Sequence, residues 1–304
     1  GTVVTPEEVY RFGRGDPVHL APLDANGKGT REVRIDRPLD FLSLTEHGEF
    51  LGEVALCTTP GSPGYETKTC QGYRNPDKNG AFDFGFILAT KSPQRPVDLC
   101  GADGKGCEDQ AAARWKAMQD AAEATYDRSE KCAFTSIIGY EYTNTFAVSN
   151  LHRNVFFRNK HVPIRPISHM EQPTFWGLWK ALDAQCNNAG TGCEVLTIAH
   201  NSNLSNGKYF YADYPGAETF EAQREMARLR ARMEPLVEIF QHKGDSECRN
   251  GLPGLHGEPD PLCDNEKVWP KDAKICGTEP GNGGMRLWGC VHRLDFVRNA
   301  LKEG

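Results

Sequence analysis

Five short stretches of this chain bring a histidine or a glutamate to one end of an apolar run. Residues 195–199 lead into His200, Asn201, Ser202 and Asn203. Residues 39–44 lead through Thr45 into Glu46 and His47, and residues 134–139 into Tyr140 and Glu141. Residues 236–240 lead into Gln241, His242 and Lys243, while Asn150, Leu151, His152 and Arg153 precede the run 155–157. Neutral imidazoles and carboxylates held on rigid elements are what a divalent cation needs. His47, Glu141, His152 and His200 are therefore the candidate metal ligands, with Glu46 beside His47. Glu141 closes an apolar strand between two tyrosines, where a bare carboxylate would be costly to desolvate. Asn201, Ser202 and Asn203 offer His200 the polar company that orients a ligand. Arg153 and Lys243 could hold an anionic group. His242, Gln241, Asn201 and Asn203 could touch substrate, and Glu238 could support a ligand or pair with a cation. Each of these has a plainer reading: a histidine after a strand is often a hydrogen-bonded turn residue, and a lysine or arginine a solvated charge. The plainer reading holds for His19, His161, His169, His256 and His292, which fall in loops or on helix faces. Other nucleophiles lack support: there is no GxSxG elbow, no P-loop and no GxGxxG, and no histidine neighbours Cys132. A metal-activated hydroxide is the better candidate, since a bound divalent cation lowers the pKa of water to about 7.

The elements that must position these residues are short, β-branched and non-amphipathic, which reads as buried strands. Their ligands would then lie at the carboxyl ends of strands, the edge that carries chemistry in barrels and open α/β sheets. Helices are predicted near 5–13, where Thr5, Pro6 and Glu8 form a capping box, and over 109–128, 173–186, 217–233 and 291–303. Residues 16–35 read as a hairpin or loop. Strands separated by helices make an α/β design with mostly parallel strands. Two Cys-, Gly- and Pro-rich stretches, 57–110 and 245–290, read as irregular insertions in a single domain spanning 1–304.

The chain has 304 residues, 38% of them hydrophobic, enough for a sizeable core. A formal charge of −6 and the lack of any basic run argue against a nucleic-acid partner. No stretch approaches membrane-spanning length. The 11 cysteines fall into local couples: Cys57 with Cys70, Cys100 with Cys107, Cys186 with Cys193, Cys248 with Cys263, and Cys276 with Cys290. Five loop-closing disulfides plus a buried free thiol at Cys132 is the simplest account, with a cysteine-ligated zinc site as the rival. The disulfides imply an oxidising compartment, periplasm or exterior.

The motifs Leu-Asp-Phe-Leu-Ser-Leu-Thr-Glu-His-Gly-Glu, Ile-Ile-Gly-Tyr-Glu-Tyr-Thr, Asn-Leu-His-Arg-Asn-Val, Thr-Ile-Ala-His-Asn-Ser-Asn and Val-Glu-Ile-Phe-Gln-His-Lys-Gly resemble, in order, those of the polymerase-and-histidinol-phosphatase (PHP) superfamily. More closely, the whole chain is similar to a bacterial family of unknown function allied to it. The resemblance implies a distorted β/α barrel of about seven strands with two or three zinc, manganese or iron ions at the strand ends. It implies phosphoester hydrolysis of a small anionic substrate. Glu141 would bridge two metals, His152 and His200 would complete one of them, and His47 would belong to another, with Glu46 or Glu49 beside it. Glu46 stands where the superfamily usually has Asp. The superfamily's opening His-x-His and closing Asp-x-His are not in this sequence, so the chain reads as cropped at both ends, or as partnered by the remainder of the polypeptide. The alternatives are an amide or sulfate-ester hydrolase using the same metals, and a non-catalytic, disulfide-stapled binding module.

Overall fold

The computed structural model describes residues 4–303 apart from Gly27, Pro76, Lys78, Asn79, Ala212 and 255–257; His256 thus lies outside the described residues. The chain opens with α1 (Pro6–Gly13), whose predicted capping box is present: Thr5 accepts from the Glu8 amide and Glu8 reaches back to the Thr5 amide. Residues 16–35 form the expected hairpin, β1 (Val18–Leu23) against β2 (Gly29–Val33).

β3 (Phe41–Leu44) enters the main sheet. The stretch 57–110 is not irregular, as its composition suggested. With the residues just before it, it folds into α2 (Leu51–Thr58), α3 (Lys68–Arg74), α4 (Gly80–Leu88) and α5 (Val97–Cys100), then feeds α6 (Lys105–Thr125). Helices of four to nine residues are too short to print a periodic pattern. Gly52 lets α2 lie against the start of α6, because a Cβ there would sit 2.0 Å from the Cys107 carbonyl oxygen.

β4 (Thr135–Tyr142), β5 (Arg153–Phe157), α7 (Phe175–Leu182), β6 (Val195–Ala199), α8 (Phe220–Met233) and β7 (Leu236–Val237) complete the core. The sheet order is β3-β4-β5-β6-β7. The expectation of mostly parallel strands is corrected: β3/β4 and β6/β7 are parallel, but β4/β5 and β5/β6 are antiparallel. Two connections cause this. A short loop returns β4 directly into β5. The chain after β5 then climbs back along the sheet, where Ile167 and Gln172 accept hydrogen bonds from the Tyr140 and Tyr142 hydroxyls. Helix α7 therefore starts at the top and descends, and β6 must rise. Among the described residues the sheet ends at β3 and β7 and closes no barrel.

One sheet face is sealed by helices. Tyr140, Tyr142, Val155, Phe157 and Thr197 are buried on it with Trp115, Leu178 and Trp179. The alternate residues, Ile137, Glu141, Asn154, Phe156, Leu196 and Ile198, are only partly covered, so the second face is half open. The predicted strand 236–240 breaks: β7 ends at Val237, and β8 (Phe240–Gln241) pairs instead with β9 (Gly244–Asp245) in a separate hairpin. Residues 245–290 hold short 3-10 turns and two disulfides, and the last helix, α9 (Val297–Glu303), starts later than expected. All five cysteine couples are joined as their spacing predicted. Cys132 is free but exposed rather than buried. Among the described residues no helix is long and apolar enough to cross a membrane.

Candidate metal centre

Antiparallel β5 begins where parallel-running β4 and β6 end. Glu141 near the end of β4, His152 just before β5 and His200 just after β6 consequently share one rim, with Arg153 paired to Tyr142 on one side and Ala199 on the other. One ligand atom from each of the three lies within 4.8 Å of the others. Glu141 Oε1 is 2.9 Å from His152 Nδ1, and Glu141 Oε2 is 3.6 Å from His200 Nε2. The Nε2 atoms of both histidines are buried without a hydrogen-bond partner. Two imidazoles and a carboxylate, with His152 presenting Nδ1 and His200 Nε2 to Glu141, are a donor set that suits a divalent transition metal. Two other groupings of potential ligands, Glu53 with Cys100 and Cys107 and Asp260 with Cys248 and Cys263, rest on cysteines already tied in disulfides.

His47 forms a β-bridge with Glu141, and its Nδ1 lies 3.2 Å from Glu141 Oε1 and 2.6 Å from Thr143 Oγ1. Its side chain is 66% exposed against 13% for Glu141, so the centre opens to solvent on the His47 side. Glu46 contributes its backbone carbonyl to the Glu141 amide, while its side chain is exposed and outside the trio. Glu49 is buried beneath. Its Oε1 accepts from the Thr143 and His169 amides, and Oε2 has no partner.

The electrostatics follow from burial and contact. The hydrogen bond to Glu141 raises His47 to about 9, with the Glu49 and Glu46 charges adding to it. Glu141 is desolvated, yet His152 and His47 outweigh that and hold it well below the usual carboxylate range. Burial, helped by His152, lowers His200 to about 3 and keeps it neutral. Burial also pushes Glu49 up to about 7.

The remaining candidates are spread around this centre. Arg153 is fully buried; Nε donates to Glu234 and Nη1 to the Leu151 carbonyl, and the guanidinium stacks over Phe175 and Tyr209. It stands behind the site, committed to the fold. Lys243 and His242 are exposed in the β8–β9 turn, near enough for the Lys243 charge to bear on His200 and Glu238. Gln241 accepts from the Lys243 amide and bonds Glu238. Asn203 donates to the Lys243 carbonyl, and Asn201 bonds His200 itself. A cavity of about 750 Å³ lies away from the centre, over Thr135, Ile137, Phe156 and Leu196.

Two contributors escaped the sequence reading. Thr143 donates to Glu141 Oε1 at 2.9 Å; its place two residues along the same strand face was a usable signal. Tyr209 accepts from the His200 amide at 2.9 Å and donates to the His152 carbonyl, joining the backbones of two candidate ligands. Nothing in its sequence neighbourhood announces that.

Fold and site together define a mixed α/β protein with a three-residue candidate metal centre at one rim of its sheet. The whole chain, residues 1–304, matches the family described as "Protein of unknown function (DUF3604)", and it belongs to that family. No curated protein and no solved structure matches the chain.

Proposed function

We propose that this chain belongs to a metal-dependent hydrolase of phosphoesters, built on a PHP-type core and working in the periplasm or outside the cell. The observation that carries this reading is the convergence of Glu141, His152 and His200 on one rim with both Nε2 atoms unpartnered. When bound, a divalent cation such as zinc, manganese or iron would polarise a phosphoryl oxygen and make water nucleophilic near neutral pH. The chain's own part is to hold that ion through the trio, to keep Glu141 ionised, and to admit substrate past the exposed His47. With Arg153 buried, Lys243 is a cation placed near the centre to attract an anionic substrate, and anchorage by an exposed lysine predicts modest affinity. The five disulfides fit an oxidising compartment.

The test is elemental analysis of the purified chain and of two variants. The wild type should hold at least one zinc, manganese or iron ion per chain. His200→Ala and Glu141→Gln should each lose most of it, and retention of wild-type metal by both variants removes the site. A chromogenic panel of phosphate, sulfate and amide substrates then separates this activity from its alternatives. Metal uptake with no turnover on any of them favours a non-catalytic binding module.

A further inference from the structure

Asn201 follows His200 directly. It is 1% exposed, and its backbone sits in the left-handed region at φ 54°, ψ 37°, a conformation that asparagine tolerates better than most residues. Its carboxamide Nδ2 lies 3.0 Å from His200 Nδ1. The carboxamide oxygen is buried and has no hydrogen-bond partner. On the other side of the ring, His200 Nε2 faces Glu141 Oε2 at 3.6 Å.

A neutral imidazole carries one proton, and the bond made by one nitrogen decides what the other can do. With the carboxamide nitrogen on the Nδ1 side, Asn201 donates to Nδ1, and a neutral ring then carries its proton on Nε2. Nε2 cannot then ligate. To ligate through Nε2, the ring must carry its proton on Nδ1, and the atom facing Nδ1 must become an acceptor.

We propose that Asn201 is the tautomer partner of His200: its carboxamide donates to Nδ1 while Nε2 carries the ring proton and turns over to accept from Nδ1–H when Nε2 takes a cation. An amide can serve both states by presenting either its nitrogen or its oxygen. An aspartate offers acceptors alone, and an aliphatic side chain offers neither. The turn is cheap because the amide has one partner. In either orientation one end of the amide is bonded to the ring, so the ring proton decides which end it is. Asn201 is thus a positioning residue for the metal centre and not a contact for substrate. This inference rests on the metal-centre reading, and its first measurement does not.

That measurement is the tautomer of His200 by long-range 1H–15N correlation NMR. In the metal-free wild type the proton should sit on Nε2, and on adding Zn2+ it should move to Nδ1. Asn201→Asp should place the proton on Nδ1 before any metal is added. Asn201→Gly suits the left-handed backbone and removes only the side chain; it should give a mixture of tautomers and bind Zn2+ about 10- to 100-fold more weakly by calorimetry. A metal-free wild type already protonated on Nδ1 overturns the proposal, and so does Asn201→Gly with wild-type tautomer and wild-type Zn2+ affinity. If the wild type takes up none of Zn2+, Mn2+ and Fe2+, the metal centre is refuted, and the tautomers of the metal-free wild type and variants decide the role of Asn201.

Discussion

A single hydroxyl joins two of the three candidate ligands. The Tyr209 oxygen lies between the His200 amide and the His152 carbonyl, inside a fully buried ring. Removing it in Tyr209→Phe strands a buried donor and a buried acceptor, a loss of about 1–3 kcal/mol in a urea titration. The two ligand backbones would no longer be coupled, so Zn2+ affinity should fall about tenfold by calorimetry as well. A loss of stability with unchanged affinity would make Tyr209 a core residue only. Arg153 shows the opposite case. The sequence offered it as a grip for an anionic group, but a strand alternates its side chains, and Arg153 points into the sealed face. Arg153→Met leaves Glu234 buried with Arg230 as its remaining partner at 3.4 Å. That should cost about 3–5 kcal/mol while metal per folded chain stays the same.

At the level of elements, the strands were legible because short β-branched runs between turn residues permit little else, and each candidate ligand was legible because it stands at one end of such a run. Strand direction was not legible. It depends on the climb of the chain between β5 and α7, a path fixed by Tyr140 and Tyr142 hydroxyls that bond carbonyls about 30 residues away in sequence. The tie between the rim loop and the C-terminal segment was also hidden. Asp295 is fully buried; Oδ1 accepts from the Ser205 hydroxyl and Gly207 amide, Oδ2 accepts from the His292 amide, and its carbonyl accepts from Ser202. Burial outweighs those bonds and the nearby Lys208 charge, and pushes Asp295 up to about 7 from 3.8. The folded chain therefore binds this proton more tightly than the unfolded chain between pH 3.8 and about 7. Stability from this group is full below that window, falls as pH rises through it, and is level above it. Glu49, raised to about 7, has the same sign, so the comparison with a variant isolates Asp295. Asp295→Asn sets an amide N–H2 where an oxygen now accepts, so it should be less stable at pH 4.5 and should show a smaller drop in Tm between pH 4.5 and 7.5. An equal drop in both proteins would exclude Asp295 as its source.

For the molecule as a whole, the five disulfides decide how folding depends on compartment. They close loops of 7 to 15 residues, so none spans the sheet, and each pins a local excursion to itself. Short loops still restrict the unfolded chain, by about 2–3 kcal/mol apiece and on the order of 10 kcal/mol together. A domain of ordinary stability has about 5–15 kcal/mol in total. Reduction should therefore remove most of the margin even though the sheet, its helices and the candidate ligands contain no cystine link between strands. The expected outcome is a chain that melts cooperatively with its disulfides intact and loses its near-ultraviolet circular dichroism at 37 °C in excess dithiothreitol. Before reduction, one thiol per native chain, the exposed Cys132, should react with a maleimide. A reduced chain that keeps its melting temperature would mean that the core around Trp115, Tyr140 and Trp179 is sufficient by itself and that the disulfides guard only the loops.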